Sequence, residues 1–245
     1  MTRSTAGAAL AGLAAGALIT LLLWAWSADH LPWVSAESQP EYGTDTSTRR
    51  AVLQTIRHRR TVRRYAPDPV PRDDLVAILD AARYAPTAGN QQPWKFLVVQ
   101  SRATLDRLKD HALTWYTERI RQSGEVRAQE LETVRARVKE ALDGALSAPV
   151  YVAVLVDTEA SYPSYVVHDG TLAAGTLMIA ARALGYGTGF FTSFFPDRQM
   201  KQFFGIPERY SLICFTPIGV PDAWPETPPK KELADLVVYE SFGRS

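Results

Sequence analysis

A single cysteine in 245 residues leaves no intrachain disulfide, and Cys214 lies in the apolar run 212–215, where it is expected to be a small buried hydrophobe. Four histidines, His30, His58, His111 and His168, stand far apart with no second ligand at metal-binding spacing beside any of them. No metal centre is therefore expected. Charge of either sign is not in excess: the formal net charge is +1. A duplex-binding protein more often carries a broad basic surface, so this balance argues against a nucleic-acid partner. The composition is otherwise ordinary, and its 46% hydrophobic content suffices for one substantial globular domain.

Against that balance, residues 57–64 concentrate Arg57, Arg59, Arg60, Arg63 and Arg64, with no acid among them. The β-branched pair Thr61-Val62 loosens a helix, so the run is expected at the end of one, where it turns into a loop. Guanidinium forks match phosphate oxygens and Thr61 adds a hydroxyl, which makes a phosphate monoester the natural guest. A solvated basic patch or a nucleic-acid contact stays open on these residues alone.

The one long apolar run is residues 6–26, without a charge and with Thr20 as its only conventional polar side chain. It has about the length that spans a bilayer core. Trp24, Trp26 and Trp33 suit an interfacial belt, and Gly12 and Gly16 form a GxxxG step. A cleaved signal peptide is the alternative. The run exceeds the roughly 7 to 15 residues of a usual signal core, which favours an uncleaved, single-pass anchor. Arg3 on one side and Asp29, Glu37 and Glu41 on the other favour a domain outside by the positive-inside rule, and the side of the membrane stays open. The expected organisation is an anchor over residues 1–27, a polar tether over 28–48 and one domain over 49–245.

Within that domain Thr48 can cap a helix over about 49–58, with Val52, Leu53 and Ile56 as its apolar side. Pro67, Pro69 and Pro71 force extended chain. Arg72 or Asp73 then opens a helix carrying Leu75, Ile78, Leu79 and Ala82 on one face. Residues 85–96 read Ala-Pro-Thr-Ala-Gly-Asn-Gln-Gln-Pro-Trp-Lys-Phe. Small residues and amides in such a loop can approach a planar heteroaromatic ring with a polar edge; an ordinary turn is the alternative. A strand is expected over 96–99.

The run Arg-Arg-Thr-Val-Arg-Arg-Tyr, followed by Ala-Pro-Thr-Ala-Gly-Asn-Gln-Gln-Pro-Trp, resembles the nitroreductase family of FMN-dependent oxidoreductases. So do the small-residue helix over 169–184, Leu-Gly-Tyr-Gly-Thr after it, and the basic tail at Lys230 and Lys231. The resemblance covers roughly residue 49 to the C-terminus. It implies an α+β fold, a sheet flanked by helices with strands near 96–100, 151–156, 188–193 and 212–218, in an intimate homodimer with FMN at the subunit interface. By the same resemblance Arg59, Arg60, Thr61 and Arg63 hold the FMN phosphate, and Lys230 and Lys231 return to it. Asn90 hydrogen-bonds the flavin ring, while Pro86, Thr87 and Gly89 shape the backbone around it. Two departures stand out: Gly175-Thr176 replaces a frequent Gln-Asn, and the turn over 190–195 is unusually aromatic. There Thr192 or Ser193 presents a hydroxyl to the flavin, as in a deiodinase-like branch, or these residues belong to strand and core.

The activity implied is ping-pong oxidation of NADH or NADPH through FMN, with reduction of an electron-poor small-molecule acceptor such as a nitroaromatic or a quinone. No side chain is singled out as catalytic. The sequence lacks a GxGxxG fingerprint, consistent with a nicotinamide that stacks only transiently. A membrane-anchored reductive dehalogenase resembling iodotyrosine deiodinase is one alternative, and a flavin-binding protein without turnover is another.

Overall fold

The computed structural model describes residues 46–124, 126–192 and 195–242. The expected membrane helix over 6–26, the tether up to residue 45 and Ser193 lie outside them. Among the described residues no helix is long and apolar enough to cross a membrane. Residues from Arg50 onward form one compact unit.

Its centre is β2 (Val150–Asp157), an eight-residue strand buried along nearly its whole length. Its continuous apolar run is what burial on both faces demands. Alternation divides its side chains cleanly between two layers. Val150, Val152 and Val154 pack with Leu75 and Ile78 of α2 (Arg72–Ala82) and with Ala174, Leu177 and Ala181 of α5 (Val166–Ala183). Tyr151, Ala153 and Leu155 face the other way. They join Leu105 and Leu108 of α3 (Arg102–Ser123), Leu142 of α4 (Leu131–Ala145) and Met200 of α6 (Asp197–Phe204).

The sheet order is β1-β2-β4-β3, with every pairing antiparallel. β1 (Trp94–Val99) and β4 (Tyr210–Gly219) flank β2, while β3 is only Gly187–Thr188. The strand expected over 188–193 is thus cut short. Beyond Thr188 the chain touches the sheet again through a single bridge, Phe191 to Phe215, as aromatic side chains turn inward. α5 lies so close to the sheet that a Cβ on Gly170 would come within 2.4 Å of Val156 Cγ1.

The first helix, α1, spans Thr46–His58 and so begins before the expected cap, leaving Thr48 inside its first turn. It buries none of its residues. Val52, Leu53 and Ile56 are 54%, 53% and 50% exposed, an apolar stripe without a cover among the described residues. Cys214 is fully buried as expected, and burial pushes its thiol up to about 12.

Candidate functional site

The sequence-selected residues fall into two groups at opposite ends of the sheet. The register sets one end at Val150↔Ile218 and Thr188↔Ile218, and the other at Trp94↔Val156 and Val156↔Ser211. Along β2's eight residues, at about 3.3 Å each, these ends are on the order of 20 Å apart.

The arginine run occupies the first end. Helix α1 stops at His58, and Thr61 then forms a parallel bridge to Thr188, with Val62 N–H donating to Thr188 O at 2.8 Å. This side-by-side docking buries Val62 and leaves Arg63 and Arg64 exposed. Arg60 takes the opposite course and is only 9% exposed. Its Nη1 donates to Arg57 O at 2.7 Å and Arg59 O at 2.8 Å, and its Nη2 to Thr227 Oγ1. Arg60 therefore clamps the helix end to the C-terminal segment, whereas Arg59, Arg63 and Arg64 have no carboxylate partner among the described residues. Thr188 Oγ1, beneath the run, is buried with no hydrogen-bond partner among the described residues.

A cleft of about 570 Å³ opens beside these groups, lined by Arg63, Arg64, Phe190, Phe191 and Thr192 on one side. On the other stands one face of α4, with Arg137, Glu140, Ala141, Gly144 and Ala145. Thr192 is exposed there, while the neighbouring Phe191 and Phe195 are buried, as the reading of these aromatics as core residues expected. The C-terminal segment leaves β4 along the same edge. Asp222 N–H donates to Arg64 O at 3.2 Å, and the Arg182 guanidinium lies 3.7 Å from the centre of the Trp224 ring. Lys230 and Lys231 follow, both exposed and without an ion pair among the described residues.

At the other end the loop over 86–92 is held by one buried carboxylate. Asp169, in the first turn of α5 and 3% exposed, accepts from Thr87 Oγ1 at 2.8 Å, Ala88 N–H at 3.2 Å and Gln91 Nε2 at 2.7 Å. Gln91 also receives Tyr162 N–H at 2.7 Å and donates to Tyr162 O at 3.2 Å. So braced, the loop keeps Gly89, Asn90 and Gln92 at φ of 53°, 54° and 45°, left-handed values on either side of Gln91 at −70° that a free chain would avoid. Gly89 has no alternative, since a Cβ there would sit 2.3 Å from Tyr162 Cε2. Pro86 and Asn90 are exposed, and Asn90 Oδ1 accepts from Gln92 Nε2 at 3.1 Å.

The structure thus keeps Arg59, Thr61 and Arg63 at one end of the sheet and Thr87, Gly89 and Asn90 at the other. Within one chain it does not bring the two sets together, and the cleft beside the arginines contains none of the loop. Sequence reasoning passed over Asp169, although it is the only acid in an otherwise small and apolar helix. It also passed over Thr188 and Arg137.

Residues 56–220 match the Nitroreductase family. A Methanothermobacter thermautotrophicus protein provisionally named NADH dehydrogenase/NAD(P)H nitroreductase is 30% identical over 189 residues, covering 75% of this chain and 83% of that one. The iodotyrosine deiodinase of Thermotoga neapolitana is 32% identical over 193 residues, covering 75% and 95%. Among solved structures, an oxidised iodotyrosine deiodinase bound to FMN and 3-iodo-L-tyrosine superposes with a TM-score of 0.61 at 25% identity, over 78% of this chain and all of that one. The chain belongs to the nitroreductase family.

Proposed function

We propose that the protein is an FMN-dependent oxidoreductase that takes electrons from NADH or NADPH and passes them to an electron-poor small molecule, and that each FMN is held between two copies of the chain. The observation that carries this reading is the separation of two complementary half-sites by the length of the sheet. One half offers cations and a hydroxyl, suited to a phosphate; the other offers an amide and a strained, small-residue backbone, suited to a flat heteroaromatic ring. A twofold axis that sets the arginine end of one copy against the loop end of the next builds two equal sites. The exposed stripe of α1 and the exposed Leu172 and Ile179 of α5 are surfaces such a pairing would cover.

The residues fit the cofactor. Arg59 and Arg63 have no carboxylate partner among the described residues, Thr61 stands between them in the chain, and Thr188, whose Oγ1 lacks a partner there, is bridged to Thr61. Lys231, and Lys230 beside it, would return to the phosphate from the tail. Bound FMN would supply the two-electron redox chemistry. For a nitro acceptor the balance is NAD(P)H + H⁺ + ArNO₂ → NAD(P)⁺ + ArNO + H₂O. The chain's own task is placement: Asp169 fixes the loop, Asn90 would present its amide to the ring edge, and Thr192 borders the cleft in which donor and acceptor would alternate.

The test is the visible spectrum of the purified protein, followed by anaerobic NADH and then NADPH. Flavin bands that bleach, and return on adding a nitroaromatic, are expected. A protein that stays colourless after reconstitution with FMN overturns the reading. Dehalogenation is the second reading, favoured by the 32% identity to the Thermotoga deiodinase across 95% of its length. Turnover of a halotyrosine without nitroaromatic reduction would establish it instead. Residues 6–26 are proposed as a membrane tether, which sedimentation of the full chain with membranes would check.

A further inference from the structure

The cleft beside the arginine run carries more positive charge than an FMN phosphate accounts for. Of the groups assigned to that phosphate only Arg63 lines it, while Arg59 and Thr61 do not. Two further guanidiniums do, those of Arg64 and Arg137, against one carboxylate, that of Glu140. Arg137 and Glu140 are i,i+3 neighbours on α4, the spacing at which such residues pair. Among the described residues neither forms an ion pair. Cations gathered around one concave surface without partners raise the local concentration of anions and lower the cost of desolvating them. The remaining lining suits a ring: Ala141, Gly144 and Ala145 make a low floor on α4, and Phe190 and Phe191 face it.

We infer that the acceptor taken by this site is an aromatic anion, bearing a carboxylate or a comparable acidic group, and that Arg137 with Arg64 reads that charge. The inference rests on the flavin reading above and names the substrate class of the same site. Arg137 binds from the α4 wall, Arg64 from the loop beyond the phosphate residues, and the apolar floor receives the ring. A neutral nitroaromatic would keep the floor and lose the guanidinium contact.

The experiment uses the full chain loaded with FMN, so that the phosphate site is filled. Benzoate and benzamide, isosteric rings that differ in charge and are not reduced, are titrated while the flavin spectrum and the heat of binding are followed. Benzoate is expected to bind about tenfold more tightly at low salt, the factor set by one charge-assisted contact. The preference should shrink in high salt. Arg137→Gln should collapse the ratio towards one, and Arg137→Lys should keep much of it. The ratio of kcat/KM for 4-nitrobenzoate over 4-nitrobenzamide should move in parallel. Equal affinity for the two rings in a protein that holds FMN overturns this inference and leaves the flavin reading standing. A preference that survives Arg137→Gln overturns the assignment of Arg137. Failure to take up FMN overturns both readings.

Discussion

The two ends of the sheet solve different problems with different materials. At one end, guanidinium groups project from a loop into solvent, and little in the fold depends on them except Arg60. At the other, the exposed groups of the loop carry no charge, and a buried carboxylate maintains a backbone conformation that the loop would not hold alone. The first end is a reservoir of charge and the second is a fixed shape. Substitutions at the first should therefore alter binding and spare stability, whereas substitutions at the second should disturb both.

The most severe test of that division is a mixed dimer. Arg59→Ala with Arg63→Ala disables one end, and Gly89→Trp disables the other; each homodimer should lose FMN binding almost entirely. Refolded together, the two chains should recover about one intact site per heterodimer, read as FMN bound per dimer. No recovery in a demonstrated heterodimer would falsify the shared site.

Asp169→Ala comes next, because it strips three donors of their acceptor in a buried position. A loss of about 3 kcal/mol in urea unfolding is expected, together with weaker FMN binding. A variant as stable as the parent would mean that the loop holds itself. Gly89→Ala is milder and more local: the positive φ and the Tyr162 ring together should cost about 1 to 2 kcal/mol. Restoring room with Tyr162→Ala should recover part of it.

Arg59→Ala alone is predicted to weaken FMN binding about tenfold while leaving stability within about 0.5 kcal/mol. A large shift in Tm would place Arg59 with Arg60 among the structural arginines. The smallest effect near neutrality belongs to the sheet that keeps the two ends apart. The thiol of Cys214, on β4 opposite Val154, is raised by burial from 9.0 to about 12. Its contribution is intact below pH 9 and is lost as pH climbs towards 12, by about 1.4 kcal/mol per pH unit within that window. Cys214→Ala should flatten this part of the stability profile, measured by denaturant titration at several pH values.

How much of this was legible follows from sequence distance. The arginine run and the amide loop are local, each readable from a dozen residues, and both lie where the motifs suggested. β2 announced itself through an unbroken apolar run. Asp169 was hidden because its meaning depends on Thr87 and Gln91, some eighty positions earlier. Arg137 was hidden for a related reason: a charged helix looks solvated until the fold turns one of its faces towards Arg63. The strand implied over 188–193 is cut short because the chain turns there to bury Phe191 and Phe195 instead of extending the pairing. Arg60 shows the limit within a motif, since only the structure separates the guanidinium that binds the chain's own carbonyls from those left free.

The C-terminal segment is fastened at its root and bare beyond it. Arg60 holds Thr227 and Arg182 covers Trp224, while Lys230, Lys231 and the apolar residues from Leu233 to Phe242 are exposed. An isolated chain thus offers trypsin a cleavage point immediately after its last anchored contact. A chain whose tail lies across a neighbour would withhold it. The rate of that single cut, followed by mass spectrometry as concentration rises, would serve as a clock for assembly.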